Sequence, residues 1–437
     1  MRKQKQKHFN GKISLLRVAL LAILAVGLLS CSQQVSSRDV GQPQGVPPTS
    51  TANPQSPVAT ATPNQMTKEL AAAYNRFGFN LFTRLQQEES QKNLFISPTS
   101  ISTALAMVYN GAKGETQQAI DNTLSLQGLS LADLNQGNVA LKASLETGDE
   151  KVAINIGNSL WLGKNASFLP DFIQRVGESY QAKISSLDFA NKQEAATAIN
   201  DWVKEQTQGK IEQIVDEVDP DTIAFLVNAI YFKGKWSEQF NPADTKEMPF
   251  TLLDGSQKQH PMMSQSGQYA YYDNEQFQAV ALPYGEGRWS FYVFLPKPGV
   301  SLDKFYETLT ADNWEKWMQQ LSYQPGKITL PRFKMEYDIT LNDSLKAMGM
   351  EVAFDRNKAD FSGMTEAKAA IDKVQHKTFV EVNEEGTEAA AVTSVGIVAT
   401  SLPPPPFEML VDRPFFAAIR DGQTGTILFM GSMVNPE

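Results

Sequence analysis

The residue types that most often carry catalysis are scarce in this 437-residue chain. It has three histidines, His8, His260 and His376, and one cysteine, Cys31. A Ser-His-Asp enzyme would have to use His260, at a strand junction, or His376, on the approach to a strand. At either position a structural histidine is more common than a catalytic one. The chain also has no GxSxG elbow, no HExxH motif and no Walker loop. We therefore expect no enzymatic activity, no cofactor and no metal site.

Another kind of chemistry is indicated by residues 383–406, which read NEEGTEAAAVTSVGIVATSLPPPP. Small and β-branched residues dominate, and no Lys, Arg, aromatic residue or proline occurs between Thr387 and Leu402. This stretch is too apolar for an ordinary surface loop, and a loop of this length usually has a function. We interpret it as a bait for a protease that can also become a β-strand.

The composition around this stretch is that of a globular protein, with 42% hydrophobic and 20% charged residues and a formal net charge of −9. Phosphate contacts need clustered Lys and Arg, so an acidic chain argues against a nucleic-acid partner. Helical periodicity dominates the first part, and short strands dominate the second, which predicts the α+β class. Predicted helices cover 67–88, 100–109, 113–126, 171–181, 191–209, 301–320 and 341–348; predicted strands cover 93–98, 151–162, 222–232, 248–251, 268–272, 277–283, 289–295, 327–333, 415–420 and 427–434.

The N-terminus has the organisation of an export signal. Residues 2–17 are basic, and residues 18–29 form an apolar run of 12 that is too short to span a membrane comfortably. The run ends in LLSC, which resembles the processing site of bacterial lipoproteins and implies that Cys31 is lipidated. The protein would then be anchored to the membrane of a bacterial cell envelope. Cleavage by an ordinary signal peptidase, giving an extracellular protein, is the alternative.

These observations divide the chain into a signal peptide (1–30), a tether (31–66) and a globular domain (67–437). The tether is rich in Ser, Thr, Gln and Pro and cannot bury a core.

Several long motifs in the globular part resemble those of the serpin family, and the likeness runs from about residue 68 to the C-terminus. They are NLFISPTSISTALAMVYNGAKGET (93–116), INDWVKEQTQGKI (199–211), LVNAIYFKGKWSEQF (226–240), LPRFKMEYDITLNDSLKAMGM (330–350), HKTFVEVNEEGTEAAAVT (376–393) and DRPFFAAIRDGQTGTILFMGSMVNP (412–436). The resemblance implies three β-sheets, eight or nine helices, an exposed reactive-centre loop and a metastable, monomeric native state. It also implies suicide inhibition of proteases.

In serpins the target cleaves the loop, whose first part then inserts as a new central strand. The resemblance assigns the hinge of this movement to Glu384, Gly386, Thr387, Glu388, Ala389, Ala390 and Ala391. Because strand side chains alternate with period two, Thr387, Ala389, Ala391, Thr393, Val395 and Ile397 share the face that turns inward. A charge there would be buried unpaired, and none is present. We therefore predict an inhibitor; a non-inhibitory binding or chaperone-like lipoprotein is the alternative.

The family's usual count of 17 residues from Glu384 places the cleaved bond between Thr400 and Ser401. The bait subsites before it are Ile397, Val398 and Ala399, all small or aliphatic. No Lys or Arg lies between Lys377 and Arg413, so a trypsin-like pocket would find no cation. Serine proteases of elastase-like or subtilisin-like specificity fit better. The family leaves papain-like cysteine proteases open as targets.

The resemblance assigns two further groups of residues. Ser97, Ser100, Asn228 and His376 match the family's shutter, a buried polar cluster that lets the central strands part; separate capping or turn roles for the serines are the alternative. Trp236, Arg332 and Glu384 match the breach, where the loop first enters. Heparin-responsive serpins carry a basic helix, but between residues 117 and 150 only Lys142 is basic, so no polyanion partner is expected.

Overall fold

The computed structural model describes residues 63–146, 148–220, 222–387 and 406–437. The chain divides into two units, Met1–Ala59 and Thr60–Glu437, and all described residues belong to the second unit. The predicted signal peptide, almost all of the tether and most of the 383–406 stretch therefore lie outside the described residues. Among the helices that the structure describes, none is both long and apolar enough to cross a membrane.

Six helices precede the first long run of strands, one more than the sequence pattern predicts, and capping residues explain where several of them begin. Ser97 caps the second helix, whose first residue is Pro98, and Ser130 and Asp133 form a reciprocal capping box on the fourth. The helices are α1 (Pro63–Glu88), α2 (Pro98–Tyr109), α3 (Gly114–Leu124), α4 (Leu131–Leu145), α5 (Pro170–Tyr180), α6 (Lys192–Gln206), α7 (Leu302–Tyr306), α8 (Ala311–Gln320), α9 (Asn342–Leu345) and α10 (Glu351–Phe354).

A single π-turn, Lys346–Met350, joins α9 to α10, so residues 342–354 run as one kinked helix and the described part of the chain holds nine helices. The predicted helix 301–320 is two helices, because a capping Thr310 starts α8 separately. Helix α4 was not predicted. Its core-facing side includes two buried asparagines, Asn135 and Asn138, which break the apolar pattern.

Fifteen strands form three hydrogen-bonded groups in the described residues. They are β1 (Leu94–Ile96), β2 (Val152–Gly163), β3 (Lys183–Leu187), β4 (Ala224–Lys235), β5 (Lys246–Thr251), β6 (Gln257–Asp273), β7 (Phe277–Tyr284), β8 (Trp289–Pro296), β9 (Ser322–Pro331), β10 (Phe333–Thr340), β11 (Gln375–Val382), β12 (Gly386–Thr387), β13 (Phe407–Leu410), β14 (Phe415–Asp421) and β15 (Ile427–Met433). Strand β6 has 17 residues, whereas the sequence pattern predicted a strand only over 268–272.

The largest sheet has the order β1-β15-β14-β8-β7-β6-β9-β13, with β5 paired to β6. Its core against the helices is strongly aromatic: Phe294 lies 5.2 Å from Trp314 of α8 between ring centroids, and Phe82 of α1 lies 5.3 Å from Phe416. Such burial of large rings supplies much of the stability of a fold this size. The α+β class is confirmed.

The other two groups are a four-stranded sheet, β12-β4-β2-β3, and an antiparallel pair, β10-β11. Across the described residues no hydrogen-bonded register joins β4 to β11, although the chain places them side by side behind α2. We call the space between β4 and β11 the cleft. Its top is the end at Lys235 and Val382, and its base is the end at Ala224 and Gln375.

Candidate functional site: a cleft between two strands

The top of the cleft is filled by the first residues of the loop. Asn383 and Gly386 exchange backbone hydrogen bonds, closing a turn, and β12 then pairs with β4 through Gly386↔Lys235 and Thr387↔Gly234. The start of the loop thus already adds a short strand to the four-stranded sheet.

Gly386 has a steric reason to be glycine beyond the pivot role expected from the sequence. Its φ is +143°, and a Cβ atom built on it would lie 2.1 Å from the carbonyl oxygen of Gly234. No side chain fits at that distance, so the close approach of two backbones at the top of the cleft depends on this glycine.

Trp236 holds the turn against the core. Its indole Nε1 donates to the Asn383 carbonyl at 2.9 Å. Its backbone N–H donates to the Glu385 carbonyl at 3.0 Å. The indole stacks on Tyr284, with ring centroids 4.4 Å apart. Tyr284 in turn bonds its hydroxyl to Thr387 Oγ1 at 2.9 Å, and Thr387 is only 4% exposed. The first of the predicted inward-facing residues therefore lies in the core, held by a tyrosine that sequence reasoning missed.

Glu384 is buried beside the same turn, where Thr245 Oγ1 donates to its Oε1 at 2.7 Å. The Arg332 guanidinium lies 4.0 Å from its other oxygen, and the arginine side chain is about half exposed. The threonine hydroxyl is thus the nearer partner. An ion pair at this distance and exposure contributes about 1 kcal/mol or less.

At the base of the cleft, the structure brings together the four predicted shutter residues. The Ser97 N–H donates to His376 Nε2 at 3.0 Å, and the Ser100 N–H donates to Ser97 Oγ at 3.2 Å. Ser100 Oγ donates to Asn228 Oδ1, which ties α2 to β4. Ser97 does also cap its helix, so the capping role and the cluster role coincide in one residue.

The cluster continues further than the sequence indicated. Asn228 Nδ2 donates to Asn158 Oδ1 on β2, and Asn158 Nδ2 donates to the Tyr180 carbonyl at 2.7 Å. The Tyr180 hydroxyl donates to Asn135 Oδ1 at 2.9 Å, so hydrogen bonds run from the cleft to α4 and α5. Nothing in the sequence set Asn158 apart, because Asn155 and Ser159 are also polar residues of β2.

Burial lowers the pKa of His376 to about 3. The ring is therefore neutral at physiological pH, as it must be for Nε2 to accept the Ser97 N–H. Burial also lowers the pKa of His260, whose Nε2 lies 2.5 Å from the Arg332 carbonyl. Both contacts fit structural rather than catalytic histidines.

The remaining predicted residues lie outside the described part of the chain. These are Cys31, Glu388, Ala389, Ala390, Ala391, Ile397, Val398, Ala399, Thr400 and Ser401. The structure does fix where the loop leaves and returns: it starts at Thr387 beside β4 and re-enters at β13, which runs parallel to β9 from Phe407↔Gly326. The arrangement can therefore receive a strand at the cleft from a segment that is tied at both ends.

Comparison with known proteins agrees with this geometry. The model of the family described as "Serpin (serine protease inhibitor)" matches residues 72–436. Human Serpin B8 is 39% identical over 376 residues, and human leukocyte elastase inhibitor is 36% identical over 381 residues; each match covers 84% of this chain and the whole relative. The crystal structure of tengpin, a thermophilic serpin in the native state, superposes with a TM-score of 0.77 at 31% identity, covering 84% of this chain and 94% of that one.

Proposed function

Because the chain belongs to the serpin family, whose fold it has, we propose that it is an inhibitory member that traps serine proteases as covalent acyl complexes. One observation carries the proposal: Gly386 and Thr387 already pair with β4 at the top of a cleft whose other wall, β11, has no hydrogen-bonded register with β4 among the described residues. A cleaved loop can extend this pairing downward, and each added residue supplies backbone hydrogen bonds to a strand edge that otherwise lacks them.

The side chains support insertion as well. Thr387 is buried with its hydroxyl partnered, and by the period of two the next inward residues are alanines, threonine, valine and isoleucine. Burying these apolar groups on insertion stabilises the final state by about 25 cal/mol for each Å² removed from water. That gain, made only after cleavage, is what would drag an acyl-bound protease away from its docking position.

The target class follows from the bait. Ile397 to Ala399 and the Thr400–Ser401 bond suit the shallow apolar pockets of elastase-like or subtilisin-like proteases, and a relative of this chain is named as a leukocyte elastase inhibitor. Papain-like cysteine proteases are a second target class under the same trapping scheme. We further propose that the protein is exported and lipid-anchored at Cys31 to a bacterial cell envelope.

The test is one gel and one mass spectrum. Incubation with pancreatic elastase or subtilisin is expected to give an SDS-stable band at the summed mass of both proteins, and a released C-terminal peptide starting at Ser401. Cleavage with no stable complex would favour the non-inhibitory alternative. A peptide starting at Thr400 or at Leu402 would shift the reactive bond while leaving the inhibitory function in place.

A matched pair of variants isolates insertion from cleavage. Thr387→Arg would place a charge in the buried inward position, whereas Glu388→Arg changes the neighbouring outward position. We expect the first variant to be cleaved at the same rate but to form at least tenfold less complex, and the second to trap as the parent does. Equal trapping by both variants would contradict insertion along this register.

Lipidation is tested separately, by expression with labelled palmitate in a bacterium. The label should enter the parent chain and be absent from Cys31→Ala. Label in that variant would exclude Cys31 as the anchor.

A further inference from the structure

Large hydrophobic side chains are rarely exposed in this protein. In the part of the chain that the structure describes, only four are exposed: Val139, Leu253, Tyr323 and Leu410. Tyr323 is the most exposed of them, at 78%, and it is the only exposed aromatic side chain among the described residues. A single exposed aliphatic residue is ordinary on a protein surface, whereas tyrosine is one of the residue types that anchor protein interfaces. The surroundings of Tyr323 therefore indicate whether it has a partner.

Tyr323 and Leu410 lie on the same face of the largest sheet. On β9, Tyr323 and Lys327 are exposed, and on the neighbouring β13, Glu408 and Leu410 are exposed. Side chains alternate along a strand, and Glu408 pairs in register with Lys327, so all four side chains point away from the core. We call these four residues the outer patch.

The outer patch lies where the chain returns from the reactive-centre loop. Strand β13 runs parallel to β9 and first pairs with it at Phe407↔Gly326. The chain therefore arrives at this point from the side of β9 on which Tyr323 lies. Tyr323 precedes Gly326 by three residues, which is about 10 Å along the strand. Leu410 lies beyond Gly326, on the side away from the arriving chain.

The return point is held firmly on the sheet. The Phe407 ring stacks on Tyr271 of β6, with ring centroids 3.8 Å apart. Gly326 makes room for this ring, since a Cβ atom there would lie 2.2 Å from it. Gln278 of β7 also donates to the Glu408 carbonyl at 3.1 Å. The outer patch thus has a fixed position relative to the end of the loop, which lowers the cost of ordering an interface there.

The length of the chain indicates what would cover the outer patch. Five peptide units join Ser401 to Pro406, and they span at most about 18 Å. A protease domain of about 200 residues has a radius of about 20 Å. A protease that holds the Thr400–Ser401 bond therefore extends over the surface around Pro406. Its primed subsites, which bind the residues after the cleaved bond, are directed toward β13 because those residues lead into that strand.

We propose, resting on the inhibitory function and the reactive bond proposed above, that the outer patch is a docking surface for the target serine protease. Tyr323 is its anchor: the phenol ring packs against apolar residues on the rim of the primed subsites, and Leu410 contributes less. Lys327 and Glu408 carry opposite charges in register, so the contact is apolar rather than ionic. Docking stabilises the encounter complex and the acylation transition state equally. It therefore speeds capture at low concentration and leaves the partition between trapping and release unchanged.

The test measures the second-order rate constant for reaction of the full chain with pancreatic elastase and with subtilisin. Tyr323→Ala should lower this constant about five- to tenfold, as expected for loss of an interface anchor. The loss should appear as a higher half-saturation concentration with an unchanged limiting rate. Tyr323→Phe should keep at least half of the parent rate, because the ring makes the contact. A parental rate constant in Tyr323→Ala with both proteases would overturn the proposal.

The matched control is Leu253→Ala. Leu253 is 47% exposed, but it lies in the turn before Gln257, at the end of β6 opposite to the end that pairs with Tyr323. This variant should react as the parent does, and a loss as large as that of Tyr323→Ala would overturn the assignment. The difference between Tyr323→Ala and the parent should persist in about 0.5 M NaCl, where ionic contacts are screened. A difference that vanishes in salt would contradict an apolar contact.

The trapped fraction separates docking from inhibition. It should be the same in Tyr323→Ala and in the parent, in contrast to Thr387→Arg. If complexes form at parental rates in Tyr323→Ala, the docking surface is wrong and the proposed function stands. If the loop is cut without trapping, the proposed function fails, and slower cutting of Tyr323→Ala would still support the docking surface.

Size-exclusion chromatography examines the other occupant of the outer patch, a second copy of this chain. The parent should elute as a monomer. A dimer that Tyr323→Ala dissociates would place a second copy on the outer patch and overturn the proposal.

Discussion

The two ends of the cleft are held by different kinds of contact. At the top, the loop start is fixed by aromatic packing and backbone pairing: Trp236 stacks on Tyr284, and Gly386 lies against Gly234. At the base, side-chain hydrogen bonds among Ser100, Asn228 and Asn158 hold the elements around a cavity. Tight packing does not deform continuously, whereas a hydrogen-bonded cluster can exchange partners. The difference indicates that insertion begins at a rigid, pre-shaped top and proceeds into a base able to open.

The largest effect on protease trapping should come from Gly386→Val, which disrupts the packing at the top of the cleft. The new side chain would overlap the Gly234 carbonyl, and the positive φ adds strain, so the β12–β4 pairing is expected to be lost. We expect at least a tenfold fall in the trapped fraction of protease on gels. Gly287→Ala is the control, because its φ of +92° adds strain with nothing within 4 Å to clash. A fully active Gly386→Val would show that the top need not be preformed.

The next largest effect is the dependence of the free energy of unfolding on pH, through His376 at the base of the cleft. The pKa of His376 is about 3 in the folded protein and about 6.5 in an unfolded chain, so the folded state binds fewer protons. Stability is therefore complete above about pH 6.5 and falls as the pH drops from 6.5 toward 3, by at most about 1.4 kcal/mol per pH unit. Urea unfolding across this range measures the slope.

The control for this prediction is His260→Gln, because burial also lowers the pKa of His260 and its contribution to the slope has the same sign. A slope unchanged in His376→Gln would remove His376 from the acid response. His376→Ala should also shorten the half-life of the monomer on heating, with conversion to latent or polymeric forms. An unchanged half-life would count against a role in holding the strands.

A smaller loss of stability is expected from Asn158→Leu, which would remove the hydrogen bonds that join the cluster at the base of the cleft to α5. Asn228 Nδ2 and the Tyr180 carbonyl would each lose a partner, costing about 2–3 kcal/mol in the free energy of unfolding. Asn155→Leu on the same strand is the control, since its amide bonds to the Gln206 carbonyl of α6 and not to the cluster. Chemical denaturation gives the cost of each. Faster latency in both variants alike would show that the strand, rather than the cluster, sets the barrier.

The smallest loss of stability should follow from Arg332→Gln at the top of the cleft. At 4.0 Å and half exposed, this arginine should contribute less than about 1 kcal/mol through Glu384. Thr245→Val removes the 2.7 Å hydrogen bond to the same carboxylate and should cost more. The two shifts in unfolding temperature rank the partners of Glu384. A larger shift for the arginine would make the ion pair the main contact.

The sequence by itself determined the class, and its long motifs in order carried the resemblance to the family. That resemblance, rather than any local pattern, implied the grouping of Ser97, Ser100, Asn228 and His376. The sequence could not find Tyr284, Asn158 or Tyr180, since each is an ordinary strand or helix residue until a distant partner reaches it. It also missed α4, because the buried asparagines there bond to side chains far away in the sequence, among them Tyr74 of α1 and Tyr180 of α5.

Only the tertiary structure decided that β4 and β11 are parted, and that Gly386 lies too close to Gly234 for any side chain. Periodicity reports which face of a strand is buried, but not which strand lies beside it or whether the two are bonded. Whether the cleft is closed or open depends on the packing of α2 and the segment 361–375 behind it. Those contacts join residues more than a hundred positions apart, and no local pattern records them.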